Sequence, residues 1–155
     1  MRLPPRIGLA LASMLLVFLA CDHSPTEPGS GGVGFQTVLK ASLPGSSPDL
    51  AGREVVRDQA AWQAVWMDLH AVSAQPLPAV DFSREMVVVV LGPGCQGDTT
   101  ISSIGRAGGE LMVNAKTSSC NNTLCAIADF SLHVVRLPRF DGSVRFNVKG
   151  GSVVC

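Results

Sequence analysis

Three groups of residues in this chain carry side chains able to do chemistry. Asp81, Ser83 and Glu85 alternate with Phe82 and Arg84, so on an extended backbone the two carboxylates and the hydroxyl share a face. A general acid and base for hydrolysis can be built from such a pair. The same spacing equally describes a strand entry whose polar groups bond nearby backbone, and that is the expected arrangement. Ser131 and His133 also share a strand face, the beginning of a Ser-His dyad, but no third member and no Gly-x-Ser-x-Gly elbow accompanies them. His133 is therefore expected as a solvated surface side chain. Trp62 and Trp66 lie one helical turn apart and can form a stacking platform for sugar or peptide; at this spacing they are expected to pack against a sheet instead. No catalytic residue is assigned.

The cysteines divide into one and four. Cys21 follows a fourteen-residue apolar run, Ile7 to Ala20, preceded by Arg2 and Arg6. A basic start, a short apolar segment and a small residue before the cut make a secretory signal, too short for a comfortable membrane span. Its end, Val17-Phe18-Leu19-Ala20-Cys21, resembles a bacterial lipobox, which would make residues 1–20 a cleaved lipoprotein signal and Cys21 the acylated N-terminus. An ordinary cleaved signal and an uncleaved anchor are the competing readings. Residues 21–34 combine Pro25, Pro28 and several glycines with almost no large apolar side chain; such a segment cannot offset its ordering entropy and reads as a tether, about 20 Å long on average. Several acyl chains on one cysteine make a durable attachment.

Without residues 1–20 the chain carries ten Lys and Arg against twelve Asp and Glu, a formal charge of −2. There is no basic patch, so nucleic acid is not an expected partner. No Gly-rich run sits between a strand and a helix to cradle phosphate. Residues 35–155 suffice for one small domain. Cys95, Cys120, Cys125 and Cys155 are an even set in an oxidising compartment and read as two disulfides. A metal site has neither a Cys-x-x-Cys pair nor a histidine near the cysteines in sequence to support it, and no cofactor is expected. Asn121-Asn122-Thr123 has the glycosylation sequon, incidental in a bacterial protein.

The elements that must position these residues follow from periodicity. Phe35 to Lys40 alternates as a first strand, Ser42 to Gly52 reads as a loop, and Arg53 to Arg57 as a short strand. Asp58 can cap a helix whose Trp62, Val65, Trp66 and Leu69 fall at i, i+3, i+4 and i+7, ending before Pro76 and Pro78. Met86 to Leu91 is a continuous apolar run that suits a strand buried on both faces. Thr99 to Ile104, Leu111 to Thr117, Phe130 to Val134 and Val144 to Val148 follow as further strands, and short turns favour pairing between neighbours. The expected fold is α+β, a mainly antiparallel meander packed against one amphipathic helix, with Trp62, Trp66, Phe82 and Val88 in its core. An up-and-down meander brings all four remaining cysteines to one end of the sheet. Three disulfide pairings stay open; joining Cys120 and Cys125 separately to Cys95 and Cys155 constrains more chain than a Cys120–Cys125 bridge.

Val56-Arg57-Asp58-Gln59-Ala60-Ala61-Trp62-Gln63-Ala64-Val65-Trp66, then Val80-Asp81-Phe82-Ser83-Arg84-Glu85-Met86-Val87-Val88-Val89-Val90 ahead of Gly92, and Val134-Val135-Arg136-Leu137-Pro138-Arg139 together resemble the C-terminal domain of the protease-complex subunit PrcB family. The resemblance covers Val55 to Asn147. It implies a lipoprotein that assists a surface protease and does not itself cut peptide. The family's Gly-Gly-Tyr-like turn after the valine strand is here Gly94-Cys95-Gln96-Gly97-Asp98, and its proline-aromatic start to the late strand is Asp129-Phe130, so partner identity does not carry over.

The expectation is thus a non-catalytic accessory or interaction module, lipid-anchored in the bacterial envelope and attached to the membrane through Cys21, with a protein such as a protease as partner. The alternatives are a small-ligand or peptide binder at the disulfide-pinned loop end and a hydrolase using the Asp81 to Glu85 region or His133.

Overall fold

The computed structural model describes residues 31–44, 52–69, 75–93, 97–120 and 129–154. The order of elements is β1 (Gln36–Pro44), β2 (Arg53–Val56), α1 (Gln59–Asp68), β3 (Glu85–Pro93), β4 (Thr99–Ala107), β5 (Glu110–Cys120), β6 (Asp129–Pro138) and β7 (Val144–Val153). The fold is α+β and mainly antiparallel, with one helix among the described residues.

Local chemistry sets α1. Asp58 has extended backbone and its carboxylate accepts from the Ala61 N–H at 2.8 Å, satisfying one of the free donors of the first turn. Trp62, Val65 and Trp66 bury one face. The indole rings meet at a tilt, with centroids 5.2 Å apart and planes at 59°, and each N–H is spent on the segment that follows the helix: Trp62 Nε1 donates to the Pro78 carbonyl at 2.9 Å and Trp66 Nε1 to that of Gln75 at 3.4 Å. The proline-bearing stretch therefore folds back over the helix.

The strands form two sheets, ordered β1-β6-β3-β2 and β4-β5-β7. The β4–β5 pair is the expected hairpin, turning at Gly108 and Gly109, both with positive φ. β2 and β3, joined through α1, also pair antiparallel, but the remaining pairings are not between sequence neighbours. β3 pairs with β6 and β2, and β7 lies parallel to β5, because β6 crosses to the other sheet and returns the chain in the same direction, as parallel pairing requires. Burial explains the partition. Every side chain from Met86 to Val90 is fully buried, so β3 belongs inside a sheet covered on both sides. β4, β5 and β7 are apolar on one face and polar on the other, and form the outer sheet.

Three layers result. Trp62, Trp66 and Leu69 pack on Val87, Val89, Leu132 and Val134, with Phe82 partly buried beside them. Met86, Val88, Val90, Val135 and Leu137 face Ile101, Ile104, Leu111, Val113 and Ala115 of the outer sheet. A bulge at Ser102 lets both Ile101 and Ile104 point inward. The chain enters this sandwich earlier than expected: Val33 donates to the Ile104 carbonyl at 2.7 Å, Gly32 bridges Gly105, and the Val33 side chain joins the inter-sheet core. Residues 31–34, expected as tether, belong to the fold, and Ser42 to Pro44, expected as loop, complete β1.

Candidate functional site

Two ends of the sandwich differ in chemistry. The entry end, where Val33 meets β4, is held by arginines. Arg139 Nη1 donates to the carbonyls of Arg57 and Phe82 at 2.9 and 2.6 Å, and Arg57 donates to those of Phe140 and Gly142 at 3.0 and 2.8 Å. Asp81, Ser83 and Glu85 sit here. Asp81 accepts from the Ser83 N–H at 3.0 Å and its hydroxyl at 2.5 Å, while Glu85 accepts from the Asp81 N–H at 3.3 Å. This is a polar turn closing on its own backbone. The Ser83 hydroxyl and then its N–H hold the Asp81 carboxyl below the usual carboxylate range, the opposite of what a general acid needs. A cleft of about 580 Å³ lined by Asp81, Arg84, Glu85, Gln36 and Arg136 opens beside it, with Arg136 already forked onto the Gln36 amide oxygen at 2.9 and 2.6 Å.

The other end gathers the termini from which the cysteine segments depart: Pro93 ends β3, Thr99 begins β4, Cys120 ends β5, Asp129 begins β6 and Val153 ends β7. Pro93 lies opposite Phe130, Thr99 opposite Thr117, and Cys120 opposite Val153. Cys120 is buried and disulfide-bonded; Cys95, Cys125 and Cys155, like Cys21, lie outside the described residues.

Beneath this end the sheets are joined by polar groups. Thr99 and Ser131 hydroxyls meet at 2.7 Å, and Ser131 donates to the Pro93 carbonyl at 3.3 Å, leaving Thr99 as the donor between the two. His133 is buried, 4 % exposed, which corrects the expectation of a solvated side chain. Its Nδ1 accepts the Ile101 N–H at 2.9 Å, and Nε2 contacts Thr37 Oγ1 at 2.8 Å. An accepting Nδ1 places the ring proton on Nε2, which donates to Thr37. Both nitrogens are spent, so Ser131 and His133 form no dyad; the imidazole instead bridges β1, β6 and β4. Ser131 and His133 hide a second buried face of β6, and their polarity is why sequence reasoning read this strand as one-sided.

Burial, and then the Lys40 ammonium, push the His133 pKa down from 6.5, against the opposite pull of Asp98. The unfolded chain therefore takes the proton first, so the contribution of His133 to stability is fully present above about pH 6.5 and is lost as the pH falls through the lower folded value. Denaturant midpoints measured on either side of pH 6.5 should show this decline, and His133→Gln should flatten it while lowering stability overall. An unchanged pH dependence in the variant would contradict the assignment. Asp81 and Asp98, both lowered from 3.8, act only at more acid pH, so the two windows separate.

On the outer face above this network lies a shallow trough of about 510 Å³, lined by Thr100, Lys116, Ser118, Lys149, Gly150 and Gly151, with Asp98 at its rim. Among the described residues no three His, Cys, Asp or Glu side chains group to hold a metal ion. Comparison with protein-family models, with curated proteins and with solved structures finds no match. Sequence reasoning missed Thr37, Arg57 and Arg139 as structural ties; Arg139 directly after Pro138 at a strand end was the available signal.

Proposed function

We propose that this chain is a lipid-anchored protein of the bacterial envelope that acts as a non-catalytic accessory module, presenting its cysteine end to a protein partner such as a secreted protease. One observation carries the reading: the chain enters the fold at the end opposite the cysteine-bearing segments. Val33 and Gly32 lie against Ile104 and Gly105, level with Val113 and Met112 of β5, whereas Cys120 ends that strand, roughly 25 Å away at the rise of a strand. A domain tethered through Cys21 thus has an end directed away from the bilayer, and the disulfide-bonded Cys120 lies there. The side chains that suggested hydrolysis are engaged in turn closure and sheet bridging, and the Trp62–Trp66 pair is buried. Both fit a module whose work is contact. The resemblance to the PrcB C-terminal domain family supports the same role.

Peptide mass mapping of the non-reduced, alkylated protein tests the anchor and the pinned end together. Cys21 should carry acyl chains and no other cysteine should be alkylated, with Cys21→Ser abolishing fatty-acid labelling while the domain still folds. Labelling that persists without Cys21 would overturn the anchor; two alkylated thiols among the remaining four would overturn the pinned end.

A further inference from the structure

We infer that the trough on the outer sheet at the cysteine end is a recognition site for a carboxylate-bearing, extended peptide segment of a partner protein. Lys116 and Lys149 are register partners on β5 and β7, both exposed, and neither has an ion-pair partner among the described residues. Like charges directly opposite each other on paired strands are unfavourable. The neighbouring outward cation on β7, Arg145, is by contrast neutralised by Glu110 at 2.6 Å. The trough's other side chains sharpen the preference. Asp98, its single carboxylate, is bound by Lys40 at 2.9 Å and by the Thr100 hydroxyl at 2.6 Å, and Ser102 has spent its proton on the Asn114 carbonyl. The Ser118 hydroxyl accepts from the Asp98 N–H and keeps its own proton to give. The unspent donors are two ammoniums and this hydroxyl, and they favour a ligand rich in acceptors: an oxyanion.

The shape favours a peptide over a free ion. The trough runs across all three strands of the sheet, and among the described residues β7 pairs only with β5, so its outer edge can take an added strand. Gly151, two residues after Lys149 and hence on the same face, supplies the depression by having no side chain. A Cβ there would meet only the Thr117 carbonyl, at 4.0 Å, so the space is unfilled.

This inference rests on the interaction reading only for the partner; the anion preference belongs to the domain itself and is read without a membrane. The full chain in non-ionic detergent is titrated with a short polyglutamate peptide, a polylysine peptide and inorganic phosphate at equal ionic strength, following the amide resonances of Thr100, Ser118, Gly150 and Gly151. Polyglutamate should saturate these shifts and polylysine should not. Lys116→Gln with Lys149→Gln should weaken binding roughly tenfold or more, with a melting temperature unchanged or raised because a repulsion is removed. Gly151→Val should block the peptide while the chain stays folded. Unaltered polyglutamate binding in the double variant, or no saturable shift, overturns the site. Phosphate saturating the same resonances as tightly as polyglutamate overturns the peptide assignment.

Discussion

Trp62→Ala is expected to destabilise the domain by ~3–5 kcal/mol, the range for truncating a large aromatic side chain in a core. The indole is fully buried, packs at a tilt against Trp66, and donates to the Pro78 carbonyl. Its loss opens a cavity between helix and sheet and leaves that carbonyl without its donor. Chemical denaturation monitored by the remaining tryptophan reads the effect. Trp62→Phe should recover much of the packing but not the hydrogen bond, leaving about 1 kcal/mol of loss or somewhat more. A Trp62→Ala protein with an unchanged midpoint would place the ring outside the core and restore the stacking-platform reading.

Gly92→Ala should cost about 3 kcal/mol or more, although it adds a single methyl group. Gly92 sits on the face of β3 turned towards the outer sheet, where a Cβ would overlap Thr99 Oγ1 and lie 2.6 Å from Thr117 Cγ2. Both are stiff β-branched residues of the opposing strands, and overpacking of this kind is itself worth about 1–3 kcal/mol. Moving Thr99 also breaks its buried hydrogen bond to Ser131, which adds about 1–3 kcal/mol for the hydroxyl left unpaired. Combining Gly92→Ala with Thr99→Ala and Thr117→Ala should restore part of the loss. If Gly92→Ala alone melts like the parent, the close approach of the two sheets at this end is wrong.

The helix was legible in sequence because its signals are local: a capping aspartate and four apolar residues at helical spacing fix both start and face. The strands were legible for the same reason, since alternation and glycine turns act over a few residues. Pairing was not, because it depends on which strands are covered on both sides. β3 announced this with an unbroken apolar run. β6 did not, as Ser131 and His133 break its second apolar face while being buried through hydrogen bonds to Thr99, Pro93, Ile101 and Thr37. That the ends of β3, β5 and β7 and the starts of β4 and β6 share one end was nevertheless predictable, because it needs only the alternation of strand directions, which the two-sheet arrangement preserves. Lys116 and Lys149 escaped notice since they lie thirty-three positions apart and become neighbours only through the parallel β5–β7 register.

The proposed function requires the cysteine end to be the face that meets a partner. Photo-crosslinking residues placed in living cells at Ser152, exposed at that end, and at Ala107, exposed at the entry end, test it directly. The prediction is one discrete protein adduct from position 152, lost when Lys116 and Lys149 are both replaced by glutamine, and none from position 107. An adduct from position 107 alone, or no adduct from position 152, would contradict it.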